Sequence, residues 1–462
     1  MSFEKNYDVA IIGGGLAGAV AAIAASRCGA KATLIEQSGV LGGQATLGIV
    51  TPLSATGSVS GESFGGICEE IFTEILETSK NYAAPPDAPC NYENINPHIT
   101  KYVLLKKCIE AGVDVMFHTT LTGAVTADNN ITEIEVFTKS GYGKIRAKSF
   151  VDTTGDGDLI CLSDAGYFIG SEGNVYEELA EENLAHVLFE GEDKVIKADE
   201  KALQPVSAFF KLRGVDVEKA ISYNNKSFRY EDLGIDREEF RQEDFYNTCG
   251  FEENGDLIPL PQGRILVLRG MAPDEAVINM SRVTGINGTD ADSLNRGECL
   301  AQLQVMNLVR FLKKYVEGFE NSYLTESAST LGVRETRRLR GKYVLKGTDA
   351  IRCVRFDDAV ARGSYIIDIH DPMGKNKSIG GAIKGDFYDI PLRSLMSEKY
   401  DNLFAAGRCI SADHVAHSST RVQGTCMLTG QAAGTAAAQY CKDGVVDYVK
   451  VRQTLISAGM NI

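Results

Sequence analysis

Three glycines at positions 13, 15 and 18 constrain this chain more than any other stretch. They form G-x-G-x-x-G between a short apolar run, Tyr-Asp-Val-Ala-Ile-Ile at 7–12, and an alanine-rich stretch that ends at Gly29. A second apolar run, Lys-Ala-Thr-Leu-Ile-Glu, closes at Glu36. The order reads strand, helix, strand. Gly13 permits the tight turn, Gly15 lets backbone approach a pyrophosphate at the helix N-terminus, and Gly18 allows close helix packing. Glu36 is placed to accept hydrogen bonds from ribose hydroxyls, and its carboxylate disfavours a 2′-phosphate. A dinucleotide is expected, FAD or NAD rather than NADP, because FAD and NAD present the same adenosine diphosphate half to such a turn.

Length and charge narrow the rest. A chain of 462 residues is long enough for two or three domains and a large core. Its 47 Lys and Arg against 62 Asp and Glu give a net charge of −15, which repels nucleic-acid phosphates and anionic membranes. No nucleic-acid partner and no membrane insertion are expected. The uncharged run from Val9 to Ser26 is broken by glycines and preceded by Glu4 and Asp8, unlike a signal peptide or a span. Eleven scattered cysteines include no C-x-x-C, so no metal site is expected and a reducing, cytoplasmic setting is.

Further along, helices are expected from Gly66 to Lys80 and from Ile99 to Ala111, and buried strands from Val113 to Phe117 and from Phe150 to Thr154. The texture then changes to mixed strands and loops with one long helix, Ala291 to Val316, whose Leu300, Leu303, Val309 and Leu312 would face the core. After an apolar strand at 402–406, a small-residue helix from about Thr425 to Cys441 restores the first texture. The expected fold class is α/β: a discontinuous Rossmann-like nucleotide domain, 1–170 plus 386–445, with an inserted α+β substrate or cap domain at 171–385 and a C-terminal helix in 446–462.

Several motifs carry a family resemblance: Leu41-Gly42-Gly43-Gln44-Ala45-Thr46, Thr153-Thr154-Gly155-Asp156-Gly157-Asp158 and Leu403-Phe404-Ala405-Ala406-Gly407-Arg408-Cys409. With them the chain resembles FAD-dependent oxidoreductases of the glutathione-reductase-like superfamily. More narrowly it is similar to the group related to the flavin subunit of heterodisulfide reductase, and distantly to fumarate reductase flavoproteins. Segments 332–338, 355–363 and 367–372 extend the likeness. The resemblance implies noncovalent FAD, held by Gly13, Gly15, Gly18, Glu36, Gly42, Gly43, Thr46, Gly155, Asp156, Gly407, Arg408 and Gly424. The helix beginning at Gly424 would aim its N-terminal dipole at the flavin C2 carbonyl. There is no second G-x-G-x-x-G and no C-x-x-x-x-C pair, so a separate NAD(P)H domain of the disulfide-reductase type is not expected. The cysteine cluster of heterodisulfide reductase relatives is also missing.

Catalytic candidates fall in two groups. The loop Arg408 to Gly424 should lie beyond the carboxyl ends of the strands, where α/β sheets bind ligands, and it holds His414, His417 and Arg421. The second group is Arg334, Glu335, Arg337 and Arg338, followed by His370 before a turn at 371–374. Histidine moves protons near neutral pH and guanidinium grips carboxylates by two parallel hydrogen bonds. A charge run is more often a solvated face, and a loop histidine often only satisfies carbonyls. Glu335 is expected to pose Arg334 or Arg337 toward substrate, and His370 to lead proton transfer. The activity so implied is hydride transfer between flavin N5 and a small anionic organic substrate, with His370, His414, His417, Arg334, Arg337 and Arg421 as catalytic residues. The alternatives are an electron-transfer subunit working with an iron–sulfur partner protein, and a protein holding NAD or a nonredox flavin.

Overall fold

The computed structural model describes residues 3–82, 94–188, 200–245, 257–372 and 379–462. Its centre is a seven-stranded sheet. Five strands run parallel in the spatial order Asp114–Met116, Ala32–Ile35, Phe3–Ile12, Gly141–Asp152 and Leu403–Ala405. The first four come from the chain's beginning and the fifth from near its end, with Leu403 beside Phe150 and Ala405 beside Asp152. The fold class is therefore the expected α/β arrangement with a parallel, Rossmann-like core.

The strand expected at 150–154 is longer, Gly141–Asp152, because its first half carries an antiparallel pair, Asn130–Thr138 and Thr120–Ala127, that the sequence reading did not include. Those strands are partly solvated, so they lack the continuous apolar run of a doubly covered parallel strand.

Helix Leu16–Arg27 follows the glycine turn and is buried over its first ten residues. It lies against helix Gln423–Asp443, with backbone almost touching backbone. A Cβ at Gly430 would stand 2.3 Å from the Ala17 carbonyl oxygen, and one at Gly434 would stand 2.1 Å from that of Ala21. The C-terminal helix ends where Gly444 takes φ 72°, in the left-handed region that favours glycine. Helix Gly66–Tyr82 matches its expected span, while the next runs Pro97–Glu110, capped by the Asn96 side chain on the backbone N–H of His98.

A second core gathers residues between Val206 and Val333. Its antiparallel sheet runs Tyr323–Ser327, Phe210–Arg213, Ala276–Ile278, Val267–Arg269, and helix Ala291–Tyr315 covers it. The apolar stripe of that helix differs from expectation: Ala301, Val305, Leu308, Phe311 and Leu312 are buried, whereas Leu303 is 47 % exposed. Aromatic packing sets the rotation, since Phe311 meets the edge of Phe240, which stacks on Phe245. This unit touches the nucleotide side through Phe209 and Val277, which pack on Ile49, and through the Ser329 N–H, which donates to the Leu47 carbonyl at 2.8 Å. Among the described residues, no helix is long and apolar enough to cross a membrane.

The helix contact generates a stability prediction. Gly434→Ala places a methyl group inside the van der Waals radius of a backbone oxygen, and overpacking of that kind costs about 1–3 kcal/mol. Urea unfolding should show a loss in that range; an unchanged midpoint would mean the helices have room between them.

Candidate functional site

The glycine turn does three separate things. Gly13 has φ 103°, its N–H donates to the Ile35 carbonyl at 2.8 Å, and a Cβ there would lie 2.5 Å from the Thr153 carbonyl oxygen. Gly18 faces the Gly13 carbonyl, which a Cβ would approach to 1.8 Å. Gly15 meets nothing within 4 Å, so its missing side chain opens on free space at the helix N-terminus. Two of the three glycines serve packing, and the third leaves open space at the start of the helix. Glu36 ends the neighbouring strand and accepts the backbone N–H groups of Gly14 at 2.7 Å and Ser38 at 2.6 Å. Each carboxylate oxygen keeps a lone pair for a further donor.

The second glycine pair joins the first. The Gly42 N–H donates to the Gly14 carbonyl at 2.8 Å, and a Cβ on Gly43 would come 3.2 Å from the Gly15 Cα. Thr46 is buried and spends its hydroxyl on the Leu41 carbonyl at 2.9 Å, so it shapes this turn. Across the crevice, the Gly407 N–H donates to the Thr429 hydroxyl at 3.1 Å. Arg408 pairs with Asp156 at 3.0 Å, its guanidinium lying over Gly155. The Gly424 N–H donates to the Ser54 carbonyl at 3.0 Å, so the helix N-terminus is capped in part by the chain that follows Gly42-Gly43. The Gly13–Gly18 and Gly42-Gly43 turns thus lie together, and Gly155, Asp156 and Arg408 form a second cluster.

The segment 408–424 is not the loop expected. Residues Gly407–Cys409 form one 3₁₀ turn and His414–Thr420 a buried helix, because Asp413 accepts the Ala416 N–H at 2.7 Å and so starts a helix there. The two histidines lie three residues apart, on one helical face.

The charged run 334–338 is no solvated face either. Glu335 and Arg338 are buried, and Glu335 is not turned to Arg334 or Arg337. It accepts His414 Nδ1 at 2.8 Å, a close contact from Arg338, and Gln204 Nε2 at 3.2 Å. Burial alone works to raise the Glu335 carboxyl; His414 and Arg338 overcome it and hold the group well below the usual carboxylate range. With Glu335 ionised, His414 Nδ1 carries the hydrogen of that bond, and the opposite nitrogen, Nε2, is buried without a partner among the described residues. His417 is fully buried and both its ring nitrogens lack partners in the same sense. Burial, opposed by Glu335 and reinforced by Arg338 and Arg421, pushes its pKa far down.

Arg337 departs from the substrate-holding role. It binds the Asp156 carbonyl and the Asp158 carboxylate, both at 3.1 Å, and so ties down the 156–158 turn. Arg334 is buried against Arg421 and Arg282; burial first, then those like charges, lower its pKa to about 9. Arg421 Nη2 donates to the Asp368 carbonyl at 2.9 Å and lies 3.5 Å from its carboxylate, while its Nε is buried with no partner among the described residues. His370 sits 3.5 Å from the same carboxylate. Burial and Arg334 lower its pKa to about 3, so at neutral pH it is an uncharged imidazole. Of the turn expected after it, Met373 and Gly374 lie outside the described residues.

Sequence reasoning missed Asp368, Gln204 and Glu172, which together orient His370, Glu335, Arg338 and His414. Only Asp368 had a local signal, since it stands two residues before His370 on one strand face. Asp413, a helix-capping aspartate directly before His414, was also legible.

A family described as FAD dependent oxidoreductase matches residues 8–455. Among solved structures, the chain is similar to a geranylgeranyl bacteriochlorophyll reductase-like protein from Thermoplasma acidophilum, at 13 % identity over 98 % of this chain and 83 % of that one, with a TM-score of 0.42. It is similar to the flavin-dependent brominase Bmp2 at 12 % identity, over 98 % and 83 %, with a TM-score of 0.47. The OxyS anhydrotetracycline hydroxylase from Streptomyces rimosus shows 9 % identity, over 98 % and 65 %, with a TM-score of 0.44. No curated protein matches the chain.

Two outcomes are expected from this geometry. Gly15→Ala meets no protein atom, so the apoprotein should melt as the wild type does while dinucleotide affinity falls at least about tenfold, roughly 1.4 kcal/mol. Equal affinity would place the phosphates elsewhere. The second concerns Asp413, whose pKa burial and then Glu172 raise from 3.8 to about 7. Between those values the folded carboxyl is protonated and the unfolded one ionised, so its contribution to stability is lost as pH rises. Unfolding free energies should show the advantage of wild type over Asp413→Asn shrinking from pH 4 to pH 7; a constant difference would contradict the assignment.

Proposed function

This chain belongs to the FAD-dependent oxidoreductase family, and from that premise we propose that it oxidises a small organic anion at a carbon facing the flavin, with His414 as the proton acceptor. One observation carries the reading: His414 is held by Glu335 at 2.8 Å through one ring nitrogen and leaves the other buried and, among the described residues, unpartnered. A carboxylate so placed fixes the tautomer and stabilises the imidazolium that forms, which is the arrangement a general base needs.

FAD fits the crevice by a separate test. Buried polar atoms without partners cost free energy unless something satisfies them. Among the described residues they include Arg408 Nη1, Gln423 Oε1 and Thr425 Oγ1, the last two in the first turn of helix Gln423–Asp443. These would hold the cofactor's polar edge, with the pyrophosphate at Gly15 and the ribose at Glu36. When bound, FAD supplies a two-electron hydride acceptor at flavin N5.

The protein's own residues do the remaining work. Arg334 and Arg421 grip the substrate's anionic group, a role that suits two guanidinium groups near Asp368, Arg421 at 3.5 Å from its carboxylate and the buried Arg334 within its electrostatic reach. Asp368 keeps its charge because a hydrogen bond from His370 and the charges of Arg421 and Arg334 outweigh its burial. His414 Nε2 takes the proton from the substrate hydroxyl or amine as the adjacent C–H bond breaks. The unit built by residues 206–333 covers the site and excludes water. His370 stays neutral and positions Asp368, and Arg337 keeps the 156–158 turn in place. The finer kinship, to the heterodisulfide reductase flavin subunits, rests on segments 332–338, 355–363 and 367–372, and the proposed setting is cytoplasmic.

Anaerobic titration of the purified holoprotein with candidate metabolites, followed by flavin absorbance, tests the reading directly. Bleaching by carboxylated compounds and not by their neutral analogues is expected; equal reaction with both removes the anion requirement. Reduction only in the presence of a copurified iron–sulfur protein would instead establish an electron-transfer subunit. His414→Gln should lower kcat roughly 10²- to 10⁴-fold with KM little changed, whereas Arg421→Ala should raise KM.

A further inference from the structure

Outside the crevice, a cavity of about 510 Å³ opens beside the loop that follows Gly42-Gly43. Its rim is exposed at Ser63, and its inner wall carries Thr56, Phe72, Leu76, Ser364 and Tyr365. Hydroxyls alternate with apolar groups around it, a lining that suits a chain bearing both kinds of group. The volume falls within the usual range for small-molecule sites, about 300–1,000 Å³.

Its inner end abuts the site already described in two places. Ala55 lines the cavity and is also the residue against which a Gly424 Cβ would collide, its carbonyl carbon standing 2.6 Å from that position. Only the backbone of Ser54 and Ala55 thus stands between the cavity and the N-terminus of helix Gln423–Asp443. Tyr365 forms the other contact. Its carbonyl accepts the Ser419 hydroxyl at 2.6 Å, which pins it to the helix carrying His414 and His417. Its phenol lies within electrostatic reach of Asp368 and Arg421. Tyr365 thus lines the cavity and lies within electrostatic reach of the Arg421 guanidinium group.

The walls are built. The Ser364 hydroxyl donates to the Gly57 carbonyl at 2.6 Å, the Phe64 N–H donates to the Thr56 carbonyl at 2.9 Å, and the Ser60 N–H donates to the Asp386 carboxylate at 2.6 Å. Phe64 meets the edge of Phe387 behind them. A loop tied at three points keeps its shape without a ligand.

We propose that this cavity is the substrate's entrance and tail subsite: it admits an acid with an amphipathic tail of several carbons, and Tyr365 marks the boundary between the tail and the arginine-bound head. The head assignment rests on the function proposed above; the entrance does not.

Two readouts separate them. The first is quenching of bound-flavin fluorescence by acrylamide, a neutral probe that needs only a path. Leu76→Trp, which fills the cavity, and Ser63→Trp, on its exposed rim, should both lose most of the quenching. Glu77→Trp, one residue along the same helix and outside the cavity, should retain it, and Tyr365→Ala should increase it. Wild-type quenching in both Leu76→Trp and Ser63→Trp overturns the entrance. The second readout is binding of acetate and of 6-hydroxyhexanoate, followed by flavin absorbance. Leu76→Trp should weaken the longer acid about tenfold, near the worth of two buried methylene groups, and leave acetate unchanged. Equal weakening of both acids, or a wild type that binds acetate alone, overturns the tail subsite. If neither acid perturbs the wild-type flavin, the anionic-substrate reading falls and with it the tail subsite, while the quenching series still decides the entrance.

Discussion

Everything in this molecule depends on the approach of two helices from opposite ends of the chain. Helix Leu16–Arg27 and helix Gln423–Asp443 pack so closely that Gly430 and Gly434 rest on the carbonyl oxygens of Ala17 and Ala21. Side chains larger than a hydrogen atom at those positions would push the helices apart. The consequence is positional. The glycine turn at 13–18 opens one helix, the Gln423–Thr425 turn opens the other, and strand Leu403–Ala405 adds to the sheet beside Gly141–Asp152. The N-termini of the two helices are set beside the same sheet because that contact is tight.

The buried charges form the second constraint. An ionised carboxylate without partners in a protein interior is expensive, so Glu335 survives there only because His414, Arg338 and Gln204 converge on it. The same bonds then have a chemical effect. They decide which nitrogen of His414 carries a hydrogen and leave the other buried, without a partner among the described residues. Stability and the tautomer of His414 are linked through one carboxylate, and the charge of Asp368 offsets the repulsion between the neighbouring arginines.

How far the sequence revealed this differs from residue to residue. Gly13, Gly15, Gly18 and Glu36 were legible because their roles depend on backbone conformation within one strand–helix–strand unit. Leu303 was misread because an amphipathic helix with two apolar stripes does not say which one faces inward; the Phe240–Phe245–Phe311 cluster chose. Arg337 and Glu335 were misassigned to each other's neighbourhood because residues two apart on an extended chain share a face, whereas here strand Arg337–Leu339 and the bends before it turn them to different partners.

Sequence alone determined the nucleotide turn, the acidic residue after it, the return of the same texture near the C-terminus, and the chemical types gathered in 334–338 and 408–424. These follow from local rules: glycine's freedom at φ > 0, hydrophobic period, and the donors and acceptors a side chain carries. Only the tertiary structure decided that Glu335 meets His414, that Gln204 and Glu172 join them, and that Tyr365 lines a cavity near Asp368 and Arg421. Those pairings span long stretches of chain, and burial selects them by whether every charge finds a partner, a condition that no local segment can express.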